Sequence, residues 1–169
     1  SGLFDHTFVQ PAAGDDGTAI GAALYAERLN RPNFPAKSMT LPLWGPSYDE
    51  AEIESAIDKF ADKCEVQRFD SFDEMARHCA DRIAAGEIIG WHQGRMEFGP
   101  RALGSRSILA DPRVADMRER INALVKKREG FRPFAPAVLA ESVSEYFSVD
   151  QRDAATYAHM LYVVPVKPE

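Results

Sequence analysis

Cysteine is scarce in this chain: Cys64 and Cys79 are the only two among 169 residues, and they lie too far apart for a C-x-x-C site. Such a pair without a secretory context reads as two free thiols, which excludes a disulfide-stapled fold. No run approaches the roughly 18 apolar residues of a membrane span, and no basic, apolar, small-residue leader opens the chain. A cytoplasmic protein without a membrane partner is therefore expected. Basic residues are in deficit, with 20 Lys and Arg against 26 Asp and Glu, and the net charge of −6 disfavours wholesale nucleic-acid binding. There is no Ser-His-Asp order, no P-loop G-x-x-x-x-G-K-[ST], no H-E-x-x-H, no internal repeat and no low-complexity tract.

What the chain does have is one cationic island. From Arg95 to Arg132 ten Lys and Arg stand against five acids, a local +5, so the remainder of the chain carries −11. The island occupies the glycine-rich run G-W-H-Q-G-R-M-E-F-G-P-R-A-L-G-S-R-S-I-L-A-D-P-R and the later K-K-R-E-G-F-R-P-F-A-P. Concentrated positive charge in an acidic chain points to an anionic ligand at one place. Phosphate recognition needs fixed charge and directed donors, and a planar guanidinium supplies both. Arg101, Arg106, Lys126 and Arg132 are the candidates. Three charge-assisted hydrogen bonds, each about 1.5–3 kcal/mol, approach the ~8 kcal/mol of micromolar binding before ordering is subtracted. Arg118 and Arg120 read instead as solvated helix charges, Glu97 as an ion-pair partner inside the island, and His92 as a hydrogen-bonded strand end.

Periodicity supplies the scaffold. Thr7-Phe8-Val9 is apolar and extended, and Gly14 and Gly17 bracket Asp15 and Asp16 in a tight turn leading into a helix from Thr18 to about Leu29. The start of that helix suits an anion or, through the paired aspartates, a metal; a strand-turn-helix joint with solvated acids is the plainer alternative. Asn30 to Pro46, with four prolines, reads as a linker or surface arm. Ser47-x-x-Glu50 and Ser71-x-x-Glu74 are capping boxes. The first helix carries Ile53, Ile57 and Phe60 on one face; the second carries Phe72, Met75, Cys79 and Ile83, with Gly86 as its stop.

Ile88 to Trp91 is a β-prone run feeding the glycine-rich loop, a common position for a site. Asp111-Pro112 leads to a helix with Met117, Ile121, Leu124 and Val125 on its apolar face. Its last turn holds Lys126, Lys127 and Arg128, where the dipole favours cations, and Gly130 ends it. Pro133 and Pro136 keep the following segment extended, Ser142-x-x-Glu145 caps a short helix, and Met160 to Val164 is a strand. Strands alternating with helices predict an α/β or α+β layered fold.

The central run with K-K-R-E-G-F-R-P-F-A-P resembles the carboxy-terminal part of the O-carbamoyltransferases of the NodU/CmcH/TobZ type. P-A-A-G-D-D-G-T-A-I-G-A-A resembles the end of that family's amino-terminal actin-like (ASKHA) domain. The resemblance implies that residues 1–29 are the tail of the actin-like domain and 30–63 a linker arm and helix. Residues 64–169 are then a YrdC-like domain, an α/β (α+β) fold with a twisted sheet and flanking helices, incomplete at its C-terminus. It further implies that carbamoyl phosphate and ATP, with Mg, become carbamoyl-adenylate in the YrdC-like domain. The actin-like domain would then pass the carbamoyl group to a hydroxyl of a small-molecule or sugar acceptor, releasing AMP, at a site holding a divalent metal, usually iron. Carried over by motif, Arg101, Lys126 and Arg132 become catalytic contacts to carbamoyl phosphate or nucleotide phosphates. Arg106, Ser107 and Arg128 join them as ligand contacts, and Asp15 is a metal ligand. Cations in those positions screen repulsion between anionic reactants and stabilise charge on phosphoryl oxygens.

The chain departs from the family pattern in three ways. His6, His78, His92 and His159 include no i, i+4 pair of the kind the family's metal site uses, segments of the H-x-D-G-T and N-T-S-F-N types are absent, and Ser105 stands in place of asparagine. The expectation is a fragment that packs against the rest of its own actin-like domain and lacks transferase activity alone. Two other classes compete. An RNA-binding module normally interleaves aromatics with basic residues, and none lies between Arg101 and Lys127. An inert domain would use its arginines only to pair with its acids.

Overall fold

The computed structural model describes residues 8–35, 41–149 and 157–168. His6, Thr7 of the extended start and residues 36–40 of the linker arm lie outside the described residues. The elements in chain order are α1 (Asp15–Asn30), α2 (Glu50–Lys59), α3 (Phe72–Ala84), β1 (Ile89–His92), β2 (Arg106–Leu109), α4 (Met117–Ile121) and α5 (Val143–Tyr146). A π-turn, Asn122–Lys126, continues α4, and a 3-10 turn, Ala140–Ser142, precedes α5. The described residues therefore form an α+β structure. They fall into two compact units interleaved along the chain: Ser1–Gly45 with Met96–Leu103 and Ala137–Glu169, and Pro46–Arg95 with Gly104–Pro136.

In the first unit, α1 starts at Asp15, ahead of the expected Thr18, because two acids in the first turn complement the helix dipole. The chain before it folds back so closely that a Cβ on Gly17 would overlap the Gln10 amide and the Ala12 carbonyl. Pro11 and Ala12 are buried in that turn, whereas α1 itself buries nothing and exposes Leu24, Tyr25 and Leu29. The last part of the linker is packed rather than a free surface arm. Pro42 is buried, its carbonyl accepts the Phe98 N–H at 2.6 Å, Gly45 N–H donates to the Met96 carbonyl at 2.9 Å, and the Trp44 and Phe98 rings lie 5.9 Å apart. Prolines bring few N–H groups to satisfy, so such a segment can lie against a loop through its carbonyls and rings. The expected strand from Met160 to Val164 does not form among the described residues. Only a single bridge pairs Phe147 with Val166, and Val163 is fully exposed. A β-prone run without a neighbouring strand makes no ladder. Ser142 precedes α5 but makes no capping bond.

In the second unit, the cap of α2 lies two residues beyond the expected Ser47. Asp49 accepts the Glu52 N–H at 2.8 Å while Glu52 accepts the Asp49 N–H at 2.9 Å. Aspartate caps as well as serine and adds a charge at the positive end of the helix. Helix α3 starts where expected, with Ser71 Oγ accepting the Glu74 N–H at 3.2 Å. It closes in a Schellman motif: Gly86 N–H donates to Ile83 O at 2.9 Å, Glu87 N–H to Arg82 O at 3.1 Å, and Gly86 has φ +87°. The Arg82 guanidinium, bonded to Glu87, holds that carboxyl below its ordinary range.

Phe72 of α3 meets Trp91 of β1 edge-on at 6.1 Å, which packs the helix against the hairpin. Strands β1 and β2 are antiparallel, with Ile89 opposite Leu109, Gly90 opposite Ile108, Trp91 opposite Ser107 and His92 opposite Arg106. The apolar stripe after Asp111 is only half realised. Met117 and Ile121 are buried, but Leu124 and Val125 are exposed, because the π-turn rotates them off the face that a continuing α-helix would keep. No helix among the described residues is long and apolar enough to cross a membrane.

Candidate functional site

The basic loop of the second unit is built around Asn122, which is fully buried. Its main-chain carbonyl accepts the N–H of Lys127, closing the π-turn, and the N–H of Arg128 at 3.0 Å. Its side-chain Oδ1 accepts from Arg128 Nε at 2.7 Å, and Nδ2 donates to the Arg132 carbonyl at 2.9 Å and the Gly130 carbonyl at 3.3 Å. The amide orientation is forced, since Nε can only donate and the two carbonyls can only accept. Lys127 takes the left-handed conformation, φ 48° and ψ 52°, so the chain reverses there rather than at Gly130 as expected. Arg128 also lies over the Phe134 ring at 4.9 Å. A half-buried cation is thus stacked on one side and bonded on another, and the loop from Lys126 to Phe134 takes one shape.

The cations of this unit divide by what already holds them. Arg113 donates through Nε and Nη2 to buried Asp111, at 2.6 Å at closest, and holds that carboxyl down to about 2. Arg118 pairs with its neighbour Glu119, and Arg120, expected as a solvated charge, donates to the Gly86 carbonyl at 3.1 Å. Arg106 is half-buried on β2 opposite His92, and Ser107 Oγ accepts the Gly104 N–H at 3.0 Å. Lys126 is exposed at the end of the π-turn. Arg132 is exposed and makes one open pair with Glu129 at 3.4 Å, a geometry worth little in water. Asn122 therefore brings Lys126, Arg128 and Arg132 together on one braced loop, two of them facing solvent.

Arg101 and Asp15 belong to the first unit. Arg101 is exposed in the loop where Glu97, buried, accepts the Leu103 N–H at 2.6 Å. Asp15 is exposed at the start of α1, and its carbonyl accepts from the Thr18 hydroxyl at 2.5 Å. No group of three His, Cys, Asp or Glu that could hold a metal occurs among the described residues. Asp15 can therefore supply only part of a metal site among the described residues, which do not by themselves make up an iron centre.

Two residues that sequence reasoning passed over, Asn122 and Phe134, organise the loop. The available signal was no more than an amide next in sequence to Ile121 of the apolar stripe. Its partners lie six to ten positions downstream in an irregular segment, which no periodicity reveals.

The loop lies within a stretch of the chain that resembles known proteins. A family model described as carbamoyltransferase C-terminus matches residues 80–169. Nodulation protein NolNO of Sinorhizobium fredii is 47% identical over 169 residues, 99% of this chain and 24% of that protein. Nodulation protein NolO of Bradyrhizobium diazoefficiens is 51% identical over 151 residues, covering 88% and 27%. The 3'-hydroxymethylcephem-O-carbamoyltransferase of Streptomyces clavuligerus is 32% identical over 169 residues, covering 99% and 29%. The chain spans about a quarter of the length of these relatives.

Proposed function

The chain belongs to the carbamoyltransferases of the NodU/CmcH family, as their C-terminal region, and from that premise we propose that within the whole protein it binds the phosphate groups of carbamoyl phosphate and ATP for carbamoyl transfer to a hydroxyl. The observation that carries this reading is the braced loop: Lys126 and Arg132, two of its exposed cations, fall within residues 80–169, which match the family. Carbamoyl phosphate and ATP are polyanions whose approach needs fixed positive charge. Lys126 supplies a compact charge, and Arg132 a planar fork that exchanges its open pair with Glu129 for a phosphate. Arg128, Arg106 and Ser107 are further contacts to the same ligands. Arg101 is in the other unit, and its assignment to a phosphate rests on the G-P-R-A-L-G motif alone.

In this reading the region is YrdC-like, its ATP arrives with Mg, and its product is carbamoyl-adenylate. The acceptor oxygen then bonds to the carbamoyl carbon, the bond from that carbon to the adenylate oxygen breaks, the hydroxyl proton leaves to a base, and AMP departs. A hydroxyl acceptor is supported by the cephem relative, which is named for carbamoyl transfer to the oxygen of a hydroxymethyl group. Asp15, at the end of the actin-like portion, is one ligand of a divalent metal, iron, whose other ligands lie outside the described residues, so no step is assigned to it. The test is Lys126→Ala and Arg132→Ala in the full-length protein, with carbamoyl-adenylate formation followed directly. Both changes abolish or severely slow it; formation at the parental rate in both variants sinks the assignment.

A further inference from the structure

We propose that Asn122 is the positioning residue of this anion site: it touches no ligand but fixes Arg132 and Lys126 relative to each other. The inference rests on the phosphate-binding reading and goes beyond it by naming what gives the site its shape. Three polar groups of one buried residue serve the whole loop. The main-chain carbonyl fixes the turn that ends at Lys126 by accepting from Lys127 and Arg128. The side-chain Nδ2 holds the Arg132 carbonyl at 2.9 Å and that of Gly130 at 3.3 Å, and Oδ1 holds Arg128 at 2.7 Å. Substitution spares the first of these groups and removes the other two.

The surrounding packing cannot replace them. Leu124, Val125 and Phe131 are exposed, which leaves the Arg128 stack on Phe134 and a 3.3 Å bond from the Arg132 N–H to the Glu129 carbonyl as the other supports of this path. A π-turn followed by a left-handed residue is a geometry that needs such support, and Lys127 is not a glycine. Without the Asn122 amide, Arg132 retains its charge but loses the fixed anchor that aims its guanidinium. Preorganisation of the donors, rather than their presence, is what ligand affinity then loses.

The experiment is a double-mutant cycle in the full-length protein, with ATP and carbamoyl phosphate as separate calorimetric probes and thermal unfolding measured alongside. Asn122→Ala raises the Kd for the probe that Arg132 contacts by roughly tenfold in the parent and by no more than about twofold in an Arg132→Ala background. The fall in melting temperature is the same in both backgrounds. Asn122→Asp, nearly isosteric, keeps an acceptor for Arg128 and loses the donors to Gly130 and Arg132; it carries the test if the alanine variant does not fold and gives the same roughly tenfold rise. An unchanged Kd, or an equal rise in both backgrounds, makes Asn122 a purely structural residue and overturns the inference while leaving the phosphate site intact. If Arg132→Ala alone leaves both affinities unchanged, the phosphate-site reading itself falls and the inference falls with it.

Discussion

The loop from Asn122 to Phe134 and the joint from Gln10 to Gly17 both present charge at a reversal of the chain, and they keep their shapes by different means. The loop is held by polar groups paired around one buried amide, with an arginine stacked on an aromatic ring. The joint is held by close local contacts: the Gln10 amide brackets Ala12, accepting its N–H at 2.8 Å and donating to its carbonyl, Gly17 N–H donates to Gly14 O at 3.0 Å, and there is no space for a side chain at Gly17. The loop is broken by removing a group, whereas the joint is broken by adding one at Gly17. The difference bears on function, because side-chain bracing leaves Lys126 and Arg132 exposed yet fixed at their main chain. Asp15 has only the start of a helix that buries nothing.

The largest expected effect separates the two regions by activity. Arg132→Ala in the full-length protein slows carbamoyl-adenylate formation by about 100-fold or more, the scale of losing a charge-stabilising donor. Asp15→Ala leaves ATP affinity within about twofold of the parent. Equal losses of ATP affinity in the two variants would erase the distinction. Next comes steric addition: Gly17→Ala destabilises the first unit by about 2–3 kcal/mol in urea unfolding, because the new methyl meets backbone that cannot yield cheaply. Gly86 gives the contrasting case. Nothing lies within 4 Å of a Cβ there, and only its φ of +87° resists substitution. Gly86→Ala therefore costs about 1 kcal/mol, and Gly86→Asn recovers part of that because asparagine tolerates the left-handed region. At Gly17 asparagine recovers nothing.

How far the sequence foretold these regions follows from which forces are local. Helix α3 was legible at both ends, since Ser71 and Gly86 act within one turn of themselves. The α2 cap moved from Ser47 to Asp49 because two residues of equal capping ability lie within reach of the same helix start. Strand β2 was not foreseen: Arg106 to Leu109 has no alternation, and its state is set by pairing with β1. Conversely, Met160 to Val164 has strand propensity but makes no ladder among the described residues. The candidate cations were visible as charge in sequence. Their sorting into held and exposed was not, because Asp111, Gly86, Asn122 and Phe134 act on them across turns that charge counting does not see.

The smallest effect tests whether ionic bracing matters at the entry to the segment that carries Asn122. Asp111 accepts the Arg113 backbone N–H at 2.9 Å and the Arg113 guanidinium at 2.6 Å, and these bonds lower its pKa from 3.8 to about 2. The folded state thus favours the carboxylate, so the contribution of Asp111 to stability is fully present above about pH 4, declines as pH falls toward about 2, and is gone below it. Glu54 and Glu119 are held low by Arg68 and Arg118 and fade in acid as well, so the informative quantity is a difference between proteins. Asp111→Asn keeps the size of the side chain and cannot titrate. Urea midpoints at pH 5 and pH 2 should therefore converge: the variant is less stable than the parent at the higher pH and nearly equal to it at the lower. A constant gap across that range would mean that Asp111 acts through its hydrogen-bonding shape alone, and the loop would then be braced by neutral polar groups, as at Asn122, rather than by charge.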